Sequence, residues 1–212
     1  MKEFIKERVI PVVIIDDVEN AVSLARALCA GGLHTMELTL RTPAAEASIA
    51  AIKKNVPEMK VGAGTVLSVE QVDRVVELGA SFAVAPGLNP KVVRRAQEKG
   101  LPFAPGVMTP TDVEAALDLG CLVQKFFPAS VAGGVEMLKA LAGPYAHTGV
   151  KFIPLGGIYS LNMADFLAVP VVGAIGGSWL ADKKMIAAKD WAGITKLAQG
   201  AVSIAAAVLA KK

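Results

Sequence analysis

The segment Leu122-Val-Gln-Lys125-Phe-Phe-Pro128 reads as a short strand that ends in proline and carries one cationic side chain near its end. A lysine at the end of a buried strand costs solvation unless it is used or paired. Val123, Phe126 and Phe127 give it an apolar setting, which disfavours the ammonium form and leaves an amine able to attack a ketone. The plain alternative is a strand-end lysine reaching into solvent. A second candidate lies in His34-Thr-Met-Glu37-Leu-Thr39-Leu-Arg41. Period-two alternation puts Glu37, Thr39 and Arg41 on one side of a strand, with Met36, Leu38 and Leu40 on the other. An inward glutamate suits general acid–base work. Arg41 could hold a carboxylate with its guanidinium fork. An internal Glu37–Arg41 ion pair without chemistry is the competing expectation.

Glycine-rich segments supply a third kind of signal. Gly62-Ala-Gly-Thr65-Val resembles the start of a dinucleotide loop, but Leu67 stands where the third glycine belongs, and no P-loop Gly-Lys-Ser/Thr follows. Both nucleotide readings fail. Small residues here instead let the backbone and Thr65 approach a small ligand. Gly156-Gly157 and Gly176-Gly177-Ser178 follow the expected seventh and eighth strands, where many parallel barrels build a phosphate site from backbone N–H groups. Ser178 adds a hydroxyl donor. Taken singly, each glycine pair also fits a tight turn. Pro86, Pro105 and Pro128 sit at strand ends and shape the mouth, while His34, Trp179 and Trp191 read as structural.

The elements that must position these residues alternate strictly. Apolar runs at 9–15, 35–40, 60–64, 82–85, 103–104, 122–126, 152–154 and 171–175 read as strands. Helix-like stretches at 18–30, 43–55, 69–78, 90–99, 110–119, 134–141, 161–168 and 191–209 lie between and after them. Thr42-Pro43, Asn89-Pro90 and Thr109-Pro110 each place a capping residue before a first-turn proline. Gly31-Gly32, Gly79, Gly100 and Gly120 close helices. Eight such units predict an α/β fold, a (β/α)8 barrel forming one domain over 1–212, with an open parallel sheet as the alternative.

Bulk properties narrow the function classes. The 212 residues are 53% hydrophobic and 19% charged, which describes a folded globular chain. Net charge is +3, without a concentrated basic stripe, so nucleic acid is not an expected partner. Cys29 and Cys121 form no CxxC, and His34 and His147 stand far apart, so no metal site is expected. The N-terminus lacks a signal-peptide pattern, and the longest uncharged run, 166–181, is shorter than the roughly 20 apolar residues of a membrane span. A soluble, cytoplasmic protein without a cofactor is the expectation.

Glu37-Leu-Thr-Leu-Arg41-Thr, Gly62-Ala-Gly-Thr65-Val, Pro86-Gly87-Leu, Lys125-Phe-Phe-Pro128-Ala, Gly156-Gly157-Ile and Ile175-Gly-Gly-Ser178-Trp179-Leu occur in this order. Together they resemble the bacterial 2-keto-3-deoxy-6-phosphogluconate (KDPG) aldolases, which also act on 4-hydroxy-2-oxoglutarate (KHG). The resemblance implies a Schiff-base role for Lys125 and a proton-shuttle role for Glu37. It further implies that Arg41 and Thr65 hold the pyruvyl carboxylate, that Phe127 packs beside the reacting carbons, and that Pro86 lines the pocket. Gly156, Gly157, Gly177 and Ser178 would receive the phosphate, and the chain would assemble as a homotrimer. One position departs from the family pattern: Leu155 stands where KDPG-type members carry threonine against the C4 hydroxyl and galactonate-type members carry valine. A leucine removes a hydrogen-bond donor, so discrimination between C4 epimers should weaken, and a galactonate-type substrate, relaxed stereochemistry or a shorter acceptor all stay open. Two rival functions remain at this stage: a phosphate-binding barrel isomerase or synthase, and a barrel that binds a keto acid or sugar phosphate without turnover.

Overall fold

The computed structural model describes residues 1–210, so the last two residues of the expected domain lie outside it. Among the described residues nine parallel strands are interleaved with helices, except that the fifth and sixth strands adjoin. The strands are β1 (Val9–Val13), β2 (Thr35–Thr39), β3 (Lys60–Gly64), β4 (Ala83–Val84), β5 (Phe103–Ala104), β6 (Gly106–Val107), β7 (Val123–Phe126), β8 (Lys151–Pro154) and β9 (Ile175–Gly177). The helices are α1 (Glu19–Ala30), α2 (Ala45–Asn55), α3 (Val69–Glu77), α4 (Pro90–Glu98), α5 (Pro110–Asp118), α6 (Gly134–Tyr145), α7 (Met163–Ala168), α8 (Lys183–Ala187) and α9 (Trp191–Leu209).

Hydrogen bonding joins β5-β4-β3-β2-β1-β9 into one sheet and β6-β7-β8 into another. At one junction the sheets share a single run of chain: only Pro105 separates β5 from β6, because proline has no N–H to give the ladder. Its carbonyl still accepts from Lys125 N at 2.8 Å. At the other junction, isolated parallel bridges pair Phe152 with Val172 and Leu155 with Gly176.

Alternation along the strands divides the apolar residues into two clusters. Val9, Val13, Met36, Leu38, Val61 and Phe126 pack with helix residues such as Leu24, Ile49 and Ile52. Ile10, Val12, Val84, Ala104, Val123, Ile153 and Leu155 form a second cluster with Phe4 and Phe82. The Phe4 and Phe82 rings lie 4.7 Å apart between centroids, so the N-terminal segment helps to fill this second cluster. Gly62 makes room for that packing, since a Cβ there would fall 2.3 Å from the Phe82 ring.

Several expected boundaries hold. Asn89 accepts from Lys91 N at 3.0 Å, and Thr109 and Asp112 form a capping box. Gly100 closes α4 at φ +67, a conformation that favours glycine. Other expectations need correction. Thr42 does not cap α2, which begins at Ala45; its hydroxyl donates to the Ile15 carbonyl and ties the loop after β2 to the loop after β1. The fifth strand lies at 103–104 as expected, but a further short strand, β6, follows Pro105 and was not expected. The last strand runs Ile175–Gly177 rather than 171–175, so the second glycine pair belongs to the strand itself. The short α8 was not expected.

Helix α9 has the length and apolar composition to cross a membrane, a property hidden from the search for uncharged runs by Lys196. Part of that composition packs inward. Ile194, Ala198, Ala201 and Ala205 form a buried stripe at helical spacing, while Lys196, Gln199 and Ser203 are exposed. Thr195 Oγ1 donates to the Ala27 carbonyl of α1 at 2.9 Å. Burial pushes the Cys29 and Cys121 thiols up to about 11, helped at Cys29 by Glu58 and Glu7, which leaves both poor nucleophiles at neutral pH.

Candidate active site

Parallel strands bring their carboxyl ends to one face, and ligand sites of α/β folds form there. Here that face holds a cavity of about 280 Å³. Val12 reaches it from β1, Glu37 and Thr39 from β2, Lys125 from β7 and Gly176 and Gly177 from β9. Arg41, Thr65, Pro86, Phe127, Leu155, Gly156 and Ser178 complete the lining from residues just past strand ends. Hollows elsewhere are of equal or larger volume, including one of about 470 Å³ among Lys2, Glu3, Lys6, Glu7, Thr35 and Lys60. Only the strand-end cavity unites a buried amine with a buried carboxylate among the described residues.

Those two groups form its floor. Lys125 Nζ lies 3.1 Å from Glu37 Oε1 and 3.4 Å from Oε2. Lys125 is 6% exposed and Glu37 3% exposed. A lone charge at that depth would be strongly disfavoured, and each supplies the partner the other requires. Geometry therefore overturns both plain alternatives: the lysine does not reach into solvent, and the glutamate pairs with Lys125 rather than Arg41. The Phe127 ring covers the amine, with its centroid 5.6 Å from Nζ.

Around this floor the polar groups are graded outward. Thr39 Oγ1 donates to the Val13 carbonyl at 3.3 Å and accepts from Arg41 Nε at 3.3 Å, which orients an otherwise exposed guanidinium at the rim. Thr65 is half-buried and adopts φ +63. For a β-branched residue this left-handed conformation is an outlier that costs about 1–3 kcal/mol and persists only where the surroundings enforce it. Leu155 packs flat over Gly176, where a Cβ would fall 2.6 Å from Leu155 Cγ.

The fitted family model for KDPG and KHG aldolase matches residues 1–197. The chain belongs to the KDPG and KHG aldolase family. A 2-dehydro-3-deoxy-phosphogluconate aldolase from Treponema pallidum is 48% identical over 197 residues, covering 93% of each chain. Among solved structures, a KDPG aldolase from Legionella pneumophila superposes with a TM-score of 0.89 at 40% identity, covering 92% of this chain and 94% of that one. It holds pyruvate captured at low pH as a covalent carbinolamine intermediate. The KDPG aldolase of Zymomonas mobilis ZM4 with 3-phosphoglycerate superposes with a TM-score of 0.87 at 40% identity, covering 95% and 94%.

Of the site residues expected for a member of this aldolase family, the cavity gathers Lys125, Glu37, Arg41, Thr65, Pro86, Phe127, Leu155, Gly156, Gly177 and Ser178. Gly157 sits one residue past the lining. Its carbonyl accepts from Ser130 Oγ at 2.9 Å and from Asn162 Nδ2 at 3.0 Å, which ties together the loops after β7 and β8. Val12 and Thr39 were not singled out for the site. Thr39 carried a usable signal, since it shares the inward face of β2 with Glu37 and Arg41. Val12 carried none, because its neighbours in sequence are as apolar as it is.

Proposed function

We propose that this chain is a class I aldolase that cleaves a 2-keto-3-deoxy-6-phospho sugar acid to pyruvate and glyceraldehyde 3-phosphate. The same chemistry takes 4-hydroxy-2-oxoglutarate to pyruvate and glyoxylate. The observation that carries the reading is the buried Lys125–Glu37 pair at 3.1 Å on the floor of a strand-end cavity. Once its proton has passed to Glu37 or to water, the Lys125 amine attacks the C2 ketone and forms a carbinolamine. Loss of water gives an iminium, which is the electron sink. Glu37, directly or through a water, then takes the C4 hydroxyl proton. The electron pair of the C3–C4 bond moves toward the iminium, the aldehyde departs, and an enamine remains. Protonation at C3 and hydrolysis release pyruvate and restore the amine. Arg41 and Thr65, both in the cavity lining, hold the carboxylate in this reading. Gly156, Gly177 and Ser178, with Gly157 behind them, take the phosphate through backbone N–H groups and the hydroxyl.

The two sheets are read as the halves of one closed (β/α)8 barrel in a single domain. The Leu155–Gly176 bridge supports closure on one side, and the continuous chain through Pro105 supports it on the other. The inner apolar cluster, fed by alternate residues of both sheets, is the packed centre such a barrel requires. Homotrimeric assembly and a cytoplasmic setting complete the proposal.

Borohydride reduction in the presence of pyruvate tests the reaction class. Mass spectrometry should find one reduced pyruvyl adduct, on Lys125. A protein that cleaves keto-deoxy acids without that adduct would favour a different mechanism, and an adduct without cleavage would favour a keto-acid binder. Leu155 bears on the substrate. It presents methyl groups where a hydroxyl could meet the C4 oxygen of the sugar acid, so the gluconate and galactonate epimers should react at comparable rates. Leu155→Thr should shift the kcat/KM ratio toward the gluconate epimer by about ten-fold, the scale of one hydrogen bond of roughly 1.4 kcal/mol. An unchanged ratio would remove Leu155 from the specificity determinants.

A further inference from the structure

Gly64 ends β3 directly opposite Thr39 on β2. Its φ lies outside the left-handed region, so the backbone there would accept any L residue. Glycine in a strand is also unfavourable: it loses more backbone entropy than other residues and brings no side chain to pack. What demands glycine is space. A Cβ at position 64 would lie 2.2 Å from Glu37 Oε1, 2.7 Å from Glu37 Cγ and 2.8 Å from Glu37 Cδ. Oε1 is also the oxygen nearer to Lys125 Nζ. The volume that a side chain at 64 would occupy is the volume in which the reacting carboxylate lies.

We propose that Gly64 is a positioning residue for aldol cleavage, whose missing side chain seats the Glu37 carboxylate against Lys125. The inference rests on the aldolase reading given above. A methyl group at 64 meets the movable end of a side chain rather than a backbone, so the carboxylate yields before the strand does. The fold is retained and the proton shuttle leaves its place. Two glycines of the Gly62-Ala-Gly64 segment thus have separate tasks, Gly62 beneath the Phe82 ring and Gly64 beside Glu37.

Gly64→Ala should lower kcat by about 100-fold or more, the scale of losing a placed general acid–base, with KM changing by less than about three-fold. The decisive readout is the double variant with Glu37→Asp. Aspartate is one methylene shorter and leaves the room that the new methyl takes. Gly64→Ala/Glu37→Asp should therefore turn over at least as fast as Gly64→Ala alone, although Glu37→Asp slows the parent protein. Losses that simply multiply in the double variant would overturn the proposal, because general weakening of β3 predicts that result. If Gly64→Ala does not fold, Gly64→Ala/Glu37→Ala/Lys125→Met is melted instead, so that neither member of the buried pair is left without its partner. Recovery of a cooperative transition supports a clash confined to the Glu37 side chain, and continued failure to fold overturns it. A parent protein that neither traps pyruvate nor cleaves a keto-deoxy acid would defeat the aldolase reading and this inference with it. An active parent with multiplicative losses defeats this inference alone.

Discussion

Lys125→Met should abolish cleavage, with kcat lower by roughly 10⁴-fold or more, and should also destabilise the folded protein. The first effect follows from the loss of the only amine lining the cavity among the described residues, the group able to form an iminium with a C2 ketone. The second follows from what is left behind. Glu37 is 3% exposed, and Lys125 is its ion-pair partner. Methionine fills most of the lysine volume but leaves the carboxylate uncompensated. Removing one member of a buried pair costs about 3–5 kcal/mol, and the open mouth of the cavity, which admits solvent, sets this case at the lower end of that range. Adding Glu37→Gln to Lys125→Met should then recover part of the lost stability, because a neutral amide replaces the stranded charge. Urea unfolding of the two single variants and the double variant checks both statements. A double variant less stable than Lys125→Met would show that the pair contributes through some route other than charge compensation.

Glu37→Gln should slow turnover by about 10²–10⁴-fold while leaving the fold intact. The amide has nearly the shape of the carboxylate, and its oxygen can still accept from Lys125 Nζ, so packing over Gly64 is preserved. What it cannot do is take the C4 hydroxyl proton. Capture of pyruvate by Lys125 needs the amine and a ketone, whereas carbon–carbon cleavage needs a base for the hydroxyl. Borohydride trapping should therefore persist in Glu37→Gln under conditions where cleavage is nearly lost. Rates within ten-fold of the parent protein would mean that the base is another group, and would reduce Glu37 to a counter-ion for Lys125.

Much of this site was legible before any coordinates. Alternation in β2 assigned Glu37, Thr39 and Arg41 to one face, and all three line the cavity. A cation in an apolar strand marked Lys125. Ordered motifs along the chain identified the family. The contact that matters most could not be read in this way. Glu37 and Lys125 are 88 residues apart, and strand periodicity states which face a side chain occupies without stating what lies across from it. Arg41, four residues away in sequence, looked the nearer partner until the strands were assembled. The glycines of the β3 segment were only partly legible for a related reason. Their composition declared a need for space, but only the assembled sheet reveals that Phe82 and Glu37 fill it. Thr42 failed as a cap because its hydroxyl found a carbonyl on a neighbouring loop, a tertiary preference that overrides a local one. The strand after Pro105 was missed, because Gly106-Val107 is too short a run to show strand periodicity.

Thr65 has one more consequence. The polypeptide bends against its own steric preference where it enters the mouth of the pocket, and a residue without a Cβ would relieve that tension at once. If Thr65 holds the substrate carboxylate as proposed, selection for heat resistance alone would press toward such relief and selection for turnover would resist it, and durability and catalysis would ask for different residues at position 65.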